Sequence, residues 1–440
     1  MGPTASPQEQ IRALVIAEAA NPEWVSVPLV GWSHAEALSR HAHVHVVTQV
    51  RNREAILGAG WREGIEFTAI DNEASARAVW KTSELIRGGS GKGWTTVTAL
   101  SALPYYHFEH LVWRRFRDDL FARKFDVVHR VTPLSPTTPS LMARRCRRAG
   151  VPFVLGPLNG GVPWPAEFRE AQHREREWLA YVRDAYKLLP GYRSTREDSA
   201  AILVGSQATL AQLPERHRAR AVYLPENAVD PARFPAVARS SPQKPLRVVF
   251  VGRLVPYKGA DMLIEAIAPL VLQGRLELEI VGDGPDMPTL RRLLGELGLS
   301  DKVALPGFIP HAELHERMAR ADIFGFPSIR EFGGGVVLEA MAMGLVPVVA
   351  DYAGPRELVS EATGIRVPLG RRTELVAGFR RALAELAGEP DRVRTMGKRA
   401  RQRVLELFTW DAKARQTCEV YRWVLGARQK PDFGMPFAEG

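Results

Sequence analysis

Short apolar runs alternate along this chain with longer stretches of helical periodicity. Such runs are typical of parallel strands buried on both faces, with helices connecting one strand to the next. We therefore predict an α/β protein with doubly wound parallel sheets. The candidate strands of the first half are Arg12–Ala17, His43–Thr48, Asp126–His129, Phe153–Leu155 and Ala201–Val204. Those of the second half are Leu246–Val251, Leu276–Val281, Lys302–Leu305, Ile323–Phe326 and Val346–Val349.

The chain is long for a single hydrophobic core. Its 440 residues exceed the size at which one core usually stops growing, so we expect two domains. A polar, proline-containing break runs from Ser240 to Pro245, directly before a candidate strand. We place the boundary there, between an N-terminal domain of residues 1–240 and a C-terminal domain of residues 241–408. An amphipathic helical stretch around Phe168–Leu189 is expected to pack on the N-terminal domain, with a lid or a face lying on a membrane as the alternative.

Two carboxylates and a glycine run stand together in Ser328–Gly344. Glu331 and Glu339 are separated by seven residues, with Gly333–Gly335 between them, and a helical pattern begins at the glycines. A glycine run that opens a helix exposes backbone N–H groups and the positive end of the helix dipole, which favours a phosphate. Because a carboxylate on each side can accept hydrogen bonds from hydroxyls, the segment predicts a nucleotide-sugar site.

The same segment resembles the E-x7-E motif of retaining GT-B glycosyltransferases, most closely glycosyltransferase family 4. Val249–Leu254 and Tyr257–Gly259 are similar to the first strand and basic loop of that family's C-terminal domain, and Val281–Pro285 is similar to its second strand and turn. The resemblance is strong over residues 245–425 and looser over the first 240. It implies a GT-B fold of two Rossmann-like domains facing each other across a cleft. It also implies a last helix, residues 409–428, that crosses back to the N-terminal domain before a tail of residues 429–440.

The resemblance implies a role for each residue of the donor site. Arg253 and Lys258 would hold the donor diphosphate, where negative charge grows as the glycosidic bond breaks. Glu331 would hold hydroxyls of the donor sugar, and Glu339 would hold the ribose. The other donor-binding positions that the family implies are Gly252, Phe308, Ile309, Phe332, Gly333, Gly334, Val336 and Val337.

By the same resemblance the N-terminal half contributes two further positions. Gly31, in a stretch expected to end a loop before a helix, would let the backbone approach the diphosphate. His129 would stand at the carboxyl end of its strand, where open α/β sheets bind ligands, near the reacting sugar. A strand-end histidine with structural contacts alone is the alternative for His129. Gly156–Gly161 follows the next strand and is expected at the same edge, where it would face the acceptor.

The implied activity is transfer of a sugar from a nucleotide diphosphate-sugar to an acceptor hydroxyl, with retention of anomeric configuration. Arg253, Lys258, Glu331 and His129 would be the catalytic residues. No metal or other cofactor is expected. The acceptor would be a glycan or a lipid-linked oligosaccharide in polysaccharide biosynthesis. Two alternatives remain: a nucleotide-sugar epimerase on the same fold, and a non-catalytic sugar-nucleotide-binding partner of a polysaccharide-assembly complex.

The formal net charge is +10, and arginines are dense in Arg114–Arg117, next to Trp113, and in Arg144–Arg148. A solvated basic surface and attraction to anionic lipid headgroups both explain this pattern. We expect no nucleic-acid partner, because no zinc-finger spacing or RNA-binding motif is present. With no long apolar run, no signal peptide and only Cys146 and Cys418, a cytoplasmic protein is expected, with contact to the inner face of the membrane a further hypothesis.

Overall fold

The structure is a computed structural model that describes residues 10–73, 94–160, 162–168, 185–235, 245–310 and 313–435. These residues form two compact units. The first unit takes the described residues up to 160, residues 185–226 and residues 413–433. The second takes residues 162–168, those from 227 to 412, and residues 434–435. Most of the predicted linker Ser240–Pro245 and most of the predicted helix Phe168–Leu189 lie outside the described residues.

The first unit is built on a parallel sheet of seven strands. Its strands are β1 (Arg12–Ala17), β2 (His43–Gln49), β3 (Phe67–Ile70), β4 (Val127–Thr132), β5 (Phe153–Leu158), β6 (Ala201–Val204) and β7 (Ala221–Tyr223). The order across the sheet is β3-β2-β1-β4-β5-β6-β7. The strand order therefore reverses between β1 and β4, which is the mark of a doubly wound sheet.

The second unit has a parallel sheet of six strands. Its strands are β8 (Leu246–Val251), β9 (Leu276–Val281), β10 (Val303–Gly307), β11 (Ile323–Phe326), β12 (Val346–Ala350) and β13 (Ile365–Val367). The order is β10-β9-β8-β11-β12-β13, so the reversal lies between β8 and β11. The two sheets confirm the predicted α/β class with doubly wound parallel sheets.

Helices connect the strands in both units. In the first half of the chain they are α1 (Val27–Ser39), α2 (Arg53–Gly58), α3 (Trp94–Phe121), α4 (Met142–Ala149), α5 (Tyr192–Glu197), α6 (Gln207–Gln212) and α7 (Glu215–Arg218). In the second half they are α8 (Ala260–Leu272), α9 (Met287–Glu296), α10 (Leu314–Ala319), α11 (Gly335–Ala342), α12 (Ala353–Leu358), α13 (Arg372–Gly388), α14 (Pro390–Leu407) and α15 (Trp410–Val424). Short 3-10 turns lie at Val50–Asn52, Ala166–Phe168, Ala185–Leu188 and Pro256–Lys258.

The long helix α3 shows how the first sheet is covered. Phe108, Val112, Phe116 and Leu120 recur every four residues, and each is at most 3% exposed. This spacing places them on one face of the helix. They join the core cluster that includes the β1 residue Leu14. Burying a side chain of this kind contributes about 1.5–3 kcal/mol, so the stripe is what docks α3 on the sheet.

The longest segment of the second unit, Asn227–Ala412, has its two ends next to each other. The Val229 N–H donates to the Phe408 carbonyl at 2.9 Å, and the Trp410 N–H donates to the Val229 carbonyl at 3.3 Å. Val229 and Thr409 thereby form an isolated parallel bridge. Helix α15 follows at once, and from Lys413 onward it belongs to the first unit, where Tyr421 is fully buried.

None of the helices in the described ranges is long and apolar enough to cross a membrane. Cys146 and Cys418 are both buried free thiols. Burial raises the pKa of Cys418 to about 11, and it also raises the pKa of Cys146. Both thiols are therefore protonated at neutral pH.

Candidate active site

Lys258 and Glu331 meet where the second sheet reverses its strand order. Lys258 lies in the loop after β8 and Glu331 in the loop after β11, and these two strands are neighbours. In a doubly wound sheet, loops leave this point in opposite directions and open a crevice in which ligands bind. Nζ of Lys258 forms an ion pair with Oε2 of Glu331. Each side chain is 17% exposed, so the pair is shielded from bulk water but remains accessible.

A tight turn fixes the position of Lys258. The turn Pro256–Lys258 ends at Gly259, which has a φ of 75°. A Cβ at Gly259 would lie 2.8 Å from the Pro327 carbonyl oxygen, so both the backbone angle and the close approach require glycine. Nζ of Lys258 also lies 5.3 Å from the centroid of the Phe326 ring, within cation–π range. The turn thus holds the ammonium group between a carboxylate and an aromatic face.

Backbone contacts fix the loop that carries Arg253. The Leu254 N–H donates to the Asp283 carbonyl at 2.9 Å, which joins the loops after β8 and β9. Gly282 has a φ of 144°, and a Cβ there would lie 1.9 Å from the Gly252 carbonyl oxygen. The two loops can therefore lie this close only with glycine at 282. Arg253 is exposed on the same loop that leads to Lys258.

The glycine run opens α11 as the sequence predicts. Gly334 caps the helix in the left-handed conformation with a φ of 60°. The first N–H groups of an α-helix have no partner within it, so those of Gly335 and Val336 are available at this end. Gly333, Gly334 and Val337 are buried, whereas Val336 is half-buried. Glu339 is half-buried one turn into the helix.

Further hydrogen bonds hold the Glu331 loop in place. The Ile329 N–H donates to the Tyr257 carbonyl at 3.0 Å, which ties this loop to the turn that carries Lys258. The Gly354 N–H donates to the Glu331 carbonyl at 3.2 Å. A Cβ at Gly354 would lie 2.2 Å from the Phe332 carbonyl oxygen, so α12 approaches the loop closely through this glycine. The ion pair is thus supported from both sides by backbone.

Phe308 and Ile309, which the family resemblance implies as donor-binding residues, follow the edge strand β10. The Gly282 N–H donates to the Gly307 carbonyl at 2.9 Å, so this loop continues the row of loops after β8 and β9. Phe308 is 75% exposed and Ile309 is half-buried. Both residues therefore lie at the carboxyl edge that also carries Arg253 and Lys258.

His129 lies elsewhere than the sequence predicted. Strand β4 runs on to Thr132, so His129 is inside the strand and the predicted strand end was wrong. The residue is fully buried, with Nε2 2.6 Å from the Gly156 carbonyl oxygen and Nδ1 2.8 Å from the Tyr421 hydroxyl. Burial lowers the pKa of His129 to about 4. These contacts give the neutral ring a structural role, and its assignment as a catalytic residue stays a prediction that this geometry does not favour.

Gly31 lies inside a helix rather than in the predicted loop. Helix α1 already begins at Val27, because Pro28 is well suited to a first helical turn, where its missing N–H is not needed. A Cβ at Gly31 would lie 2.1 Å from the Ala19 carbonyl oxygen. Gly31 is therefore a close-approach glycine, but the group that it approaches is the backbone after β1.

One neighbour of the ion pair comes from a segment that no sequence motif marks as part of the site. Residues 162–168, which we call the strap, belong to the second unit although they come from the first half of the chain. The guanidinium of Arg330 lies 5.0 Å from the centroid of the Trp164 ring. The Tyr352 hydroxyl donates to the Pro163 carbonyl at 2.7 Å. The Val-Pro-Trp-Pro pattern after Gly161 is the only local sign of this segment. It does not indicate which residues the segment contacts, because they lie more than 90 positions further along the chain.

Comparison with known proteins identifies the family. The sequence profile described as "Glycosyl transferases group 1" matches residues 236–403. A GDP-mannose-dependent alpha-(1-6)-phosphatidylinositol monomannoside mannosyltransferase of Mycobacterium tuberculosis is 33% identical over 306 residues, covering 64% of this chain and 73% of the relative. The chain belongs to the glycosyl transferases group 1 family. It is a glycosyltransferase, and the predicted enzyme class is confirmed.

A second relative matches this glycosyltransferase over a shorter stretch. The alpha-D-kanosaminyltransferase of Streptomyces kanamyceticus is 33% identical over 177 residues, which is 40% of this chain and 45% of the relative.

Solved structures share the fold of this glycosyltransferase. A sucrose-phosphate synthase from Thermosynechococcus elongatus superposes with a TM-score of 0.60 at 18% identity, covering 95% of this chain and all of the other. Anabaena Alr3699/HepE, solved in complex with UDP and glucose, superposes with a TM-score of 0.57 at 18% identity. The match covers 93% of this chain and 98% of the Anabaena chain. At such identities the likeness concerns the fold alone, and it confirms the predicted GT-B class.

The described part of this glycosyltransferase holds no group of three or more His, Cys, Asp or Glu side chains that could bind a metal ion. The expectation that transfer needs no metal is a separate matter and stays a prediction.

Proposed function

We propose that this glycosyltransferase is a retaining enzyme of family 4 that moves a sugar from a nucleotide diphosphate-sugar to an acceptor hydroxyl. The observation that carries the proposal is the ion pair between Lys258 and Glu331 at the strand-order reversal of the second sheet. Arg253 lies on the same loop as Lys258, and the glycine-opened end of α11 follows Glu331. Cations, free N–H groups and a carboxylate on two neighbouring loops fit a diphosphate joined to a sugar.

In the proposed reaction the glycosidic bond breaks and its electron pair passes to the diphosphate oxygen. Arg253, Lys258 and the first N–H groups of α11 neutralise the charge that develops there. The diphosphate competes with Glu331 for Lys258, which frees the carboxylate to accept hydrogen bonds from the sugar. The departing oxygen takes the proton of the acceptor hydroxyl, and the acceptor oxygen bonds to the anomeric carbon on the same face, so the anomeric configuration is retained. The cationic groups supply the charge neutralisation for which other enzymes use a metal.

We further propose a glycan or lipid-linked acceptor and work at the cytoplasmic face of a membrane. The Mycobacterium relative is named for a phosphatidylinositol-linked acceptor, which supports a lipid-linked substrate here. The first unit also carries a surface that suits anionic lipid. Arg144 and Arg148 are exposed one turn apart on α4, whose other face is buried. On α3 the exposed Phe121 packs against Trp113 at a ring distance of 6.0 Å.

A donor panel tests the proposed function. UDP-glucose, GDP-mannose, UDP and GDP are added separately to the whole chain, and the melting temperature is measured. One nucleotide and its sugar should raise the melting temperature, because a ligand that binds only the folded state stabilises it. The stabilising donor should then be consumed only when an acceptor is supplied. No shift with any of the four, or conversion of the donor to an epimer without acceptor, would contradict the proposal.

A further inference from the structure

The strap lies against the residues that flank both members of the ion pair. Trp164 is 9% exposed, and its ring meets the Tyr257 ring edge-on at 6.2 Å. Tyr257 directly precedes Lys258. The guanidinium of Arg330, which directly precedes Glu331, lies 5.0 Å from the Trp164 ring centroid. One tryptophan thus contacts the chain next to the cation and next to the carboxylate.

Arg330 lies between two aromatic rings. Its guanidinium is 5.0 Å from the centroid of Trp164 and 5.6 Å from the centroid of Phe332. Both distances are within the range of cation–π attraction. Arg330 and Phe332 are the two neighbours of Glu331 in sequence. The contact with Trp164 therefore restrains the short loop on which the carboxylate stands.

The strap is itself anchored on Tyr352, the residue directly before α12. The Tyr352 hydroxyl donates to the Pro163 carbonyl at 2.7 Å. The pKa of Tyr352 is raised by burial and by the negative charge of Glu167, so the hydroxyl keeps its proton for this hydrogen bond. Glu167 belongs to the strap as well. Pro163 and Glu167, on either side of Trp164, thus both act on Tyr352, the first by a hydrogen bond and the second by its charge.

We propose that the strap is part of the donor site and that Trp164 is a positioning residue for Glu331. Through Arg330 it holds the carboxylate at the sugar end of the site, and so it sets how tightly the sugar of the donor is bound. This inference rests on the proposed function of Lys258 and Glu331. The strap acts on the sugar rather than on the nucleotide, because the Trp164 ring lies closer to Arg330, beside Glu331, than to the ring of Tyr257, beside Lys258.

The test separates sugar binding from nucleotide binding. For Trp164→Ala we expect KM for the nucleotide-sugar identified in the panel to rise about tenfold with a smaller change in kcat, the pattern of lost substrate binding. The Kd for the bare nucleoside diphosphate should stay within about twofold of wild type, because Lys258 is held by its own turn and by Glu331, and Trp164 meets this turn only at the ring of Tyr257. Trp164→Phe keeps an aromatic face for Arg330 and should restore most of the loss.

Two further variants keep the test decisive. Tyr352→Phe removes only the hydroxyl that anchors the strap, and it should raise KM in the same direction even if Trp164→Ala does not fold. Trp423→Ala is the matched control, since Trp423 also has a cation near its ring, Lys430 at 6.0 Å, but lies at the end of α15. It should leave KM unchanged.

The inference is overturned if folded Trp164→Ala and Tyr352→Phe bind the nucleotide-sugar as wild type does. It is also overturned if both lose nucleotide and nucleotide-sugar equally, which would indicate general loosening of the second unit. Failure of the proposed function looks different, since wild type itself would then bind no nucleotide-sugar or would convert it to an epimer without an acceptor.

Discussion

The hydroxyl of Tyr421 lies 2.8 Å from Nδ1 of His129, which is 292 positions earlier in the chain. The other ring nitrogen, Nε2, lies 2.6 Å from the Gly156 carbonyl, which can only accept a hydrogen bond. Nε2 therefore carries the proton, and Nδ1 accepts from Tyr421. Both nitrogens of the buried ring are used in joining β4, β5 and α15, and a second proton on Nδ1 would remove the lone pair to which Tyr421 donates and place a charge inside the protein.

The first prediction concerns acid. Burial lowers the pKa of His129 from 6.5 to about 4. Between pH 6.5 and pH 4 this imidazole is therefore protonated in the unfolded chain but neutral in the folded chain. Stability therefore falls as pH drops from 6.5 to 4. Since a pKa difference of one corresponds to about 1.4 kcal/mol, His129 alone should account for about 3 kcal/mol. His34, whose burial lowers its pKa to about 3, adds to the same slope.

The measurement compares wild type with His129→Gln. The variant has no imidazole at position 129, so it does not lose this part of its stability in acid. The difference in melting temperature between wild type and variant should therefore become smaller as the pH is lowered from 6.5 to 4. A deficit that stays constant over this range would contradict a neutral, buried His129.

The second prediction exchanges the charges of the ion pair. Lys258→Glu and Glu331→Lys should each lower the rate of sugar transfer by about 10²–10³-fold, the usual effect of removing one charge-stabilising group. The double variant restores opposite charges and should recover much of the melting temperature lost in the single variants. Transfer should not recover, because a carboxylate at 258 repels the diphosphate.

Arg247 and Glu277 offer the control for this exchange. They form an exposed ion pair of 2.8 Å on β8 and β9 of the same unit. Exchanging their charges should leave transfer unchanged. Recovery of transfer in the Lys258 and Glu331 double variant would show that only the pairing, and not each charge, is needed.

The third prediction concerns Gly282. Alanine there would place its Cβ 1.9 Å from the Gly252 carbonyl oxygen, so the loop that carries Arg253 must move. We expect Gly282→Ala to weaken nucleoside diphosphate binding as well as to lower the melting temperature. Gly274→Ala is the control, because Gly274 has a φ of 67° but no atom within 4 Å of its Cβ position. Its free energy of unfolding should fall by about 1–2 kcal/mol, the cost of a left-handed backbone for a residue with a Cβ. Its binding of nucleoside diphosphate should be unchanged.

The fourth prediction concerns the exposed arginines of α4. Arg144→Gln with Arg148→Gln should weaken association with phosphatidylserine vesicles, since each basic residue near an anionic surface contributes about 1 kcal/mol. Together this is about a 30-fold change in affinity at low salt. Arg291→Gln with Arg292→Gln removes the same charge from an exposed site on α9 and should have no effect. Unchanged vesicle association in the first variant would contradict the proposed membrane contact.

The sequence predicted the central strands and the edge strand β10, but it missed the other three edge strands. Strands β1, β6, β8, β9 and β11 have the predicted bounds, because each is a continuous apolar run or a clear alternation. Strands β3, β7 and β13 were missed. They lie at the edges of the sheets, have three or four residues, and β3 and β13 are only partly buried, so no apolar run marks them.

In the site, local motifs were informative and distant contacts were not. The helix opened by Gly334 depends on neighbouring residues and was predicted. The direct pairing of Lys258 with Glu331 was not, because the motifs imply a role for each residue but no distance between them. The burial of His129 depends on Tyr421, and the contact of Arg330 depends on Trp164. The sequence around His129 does not indicate Tyr421, and the sequence around Arg330 does not indicate Trp164.

The bridge between Val229 and Thr409 has a consequence for gene fusion and domain exchange. A stretch whose two ends meet can be cut out and inserted into another scaffold at a single point, which makes residues 230–408 a natural cassette for chimeric enzymes. Such a transplant would leave Trp164 behind in the parent. A chimera that carries residues 162–168 along with the cassette should therefore keep the sugar preference of its source, whereas the bare cassette should keep only its preference for the nucleotide.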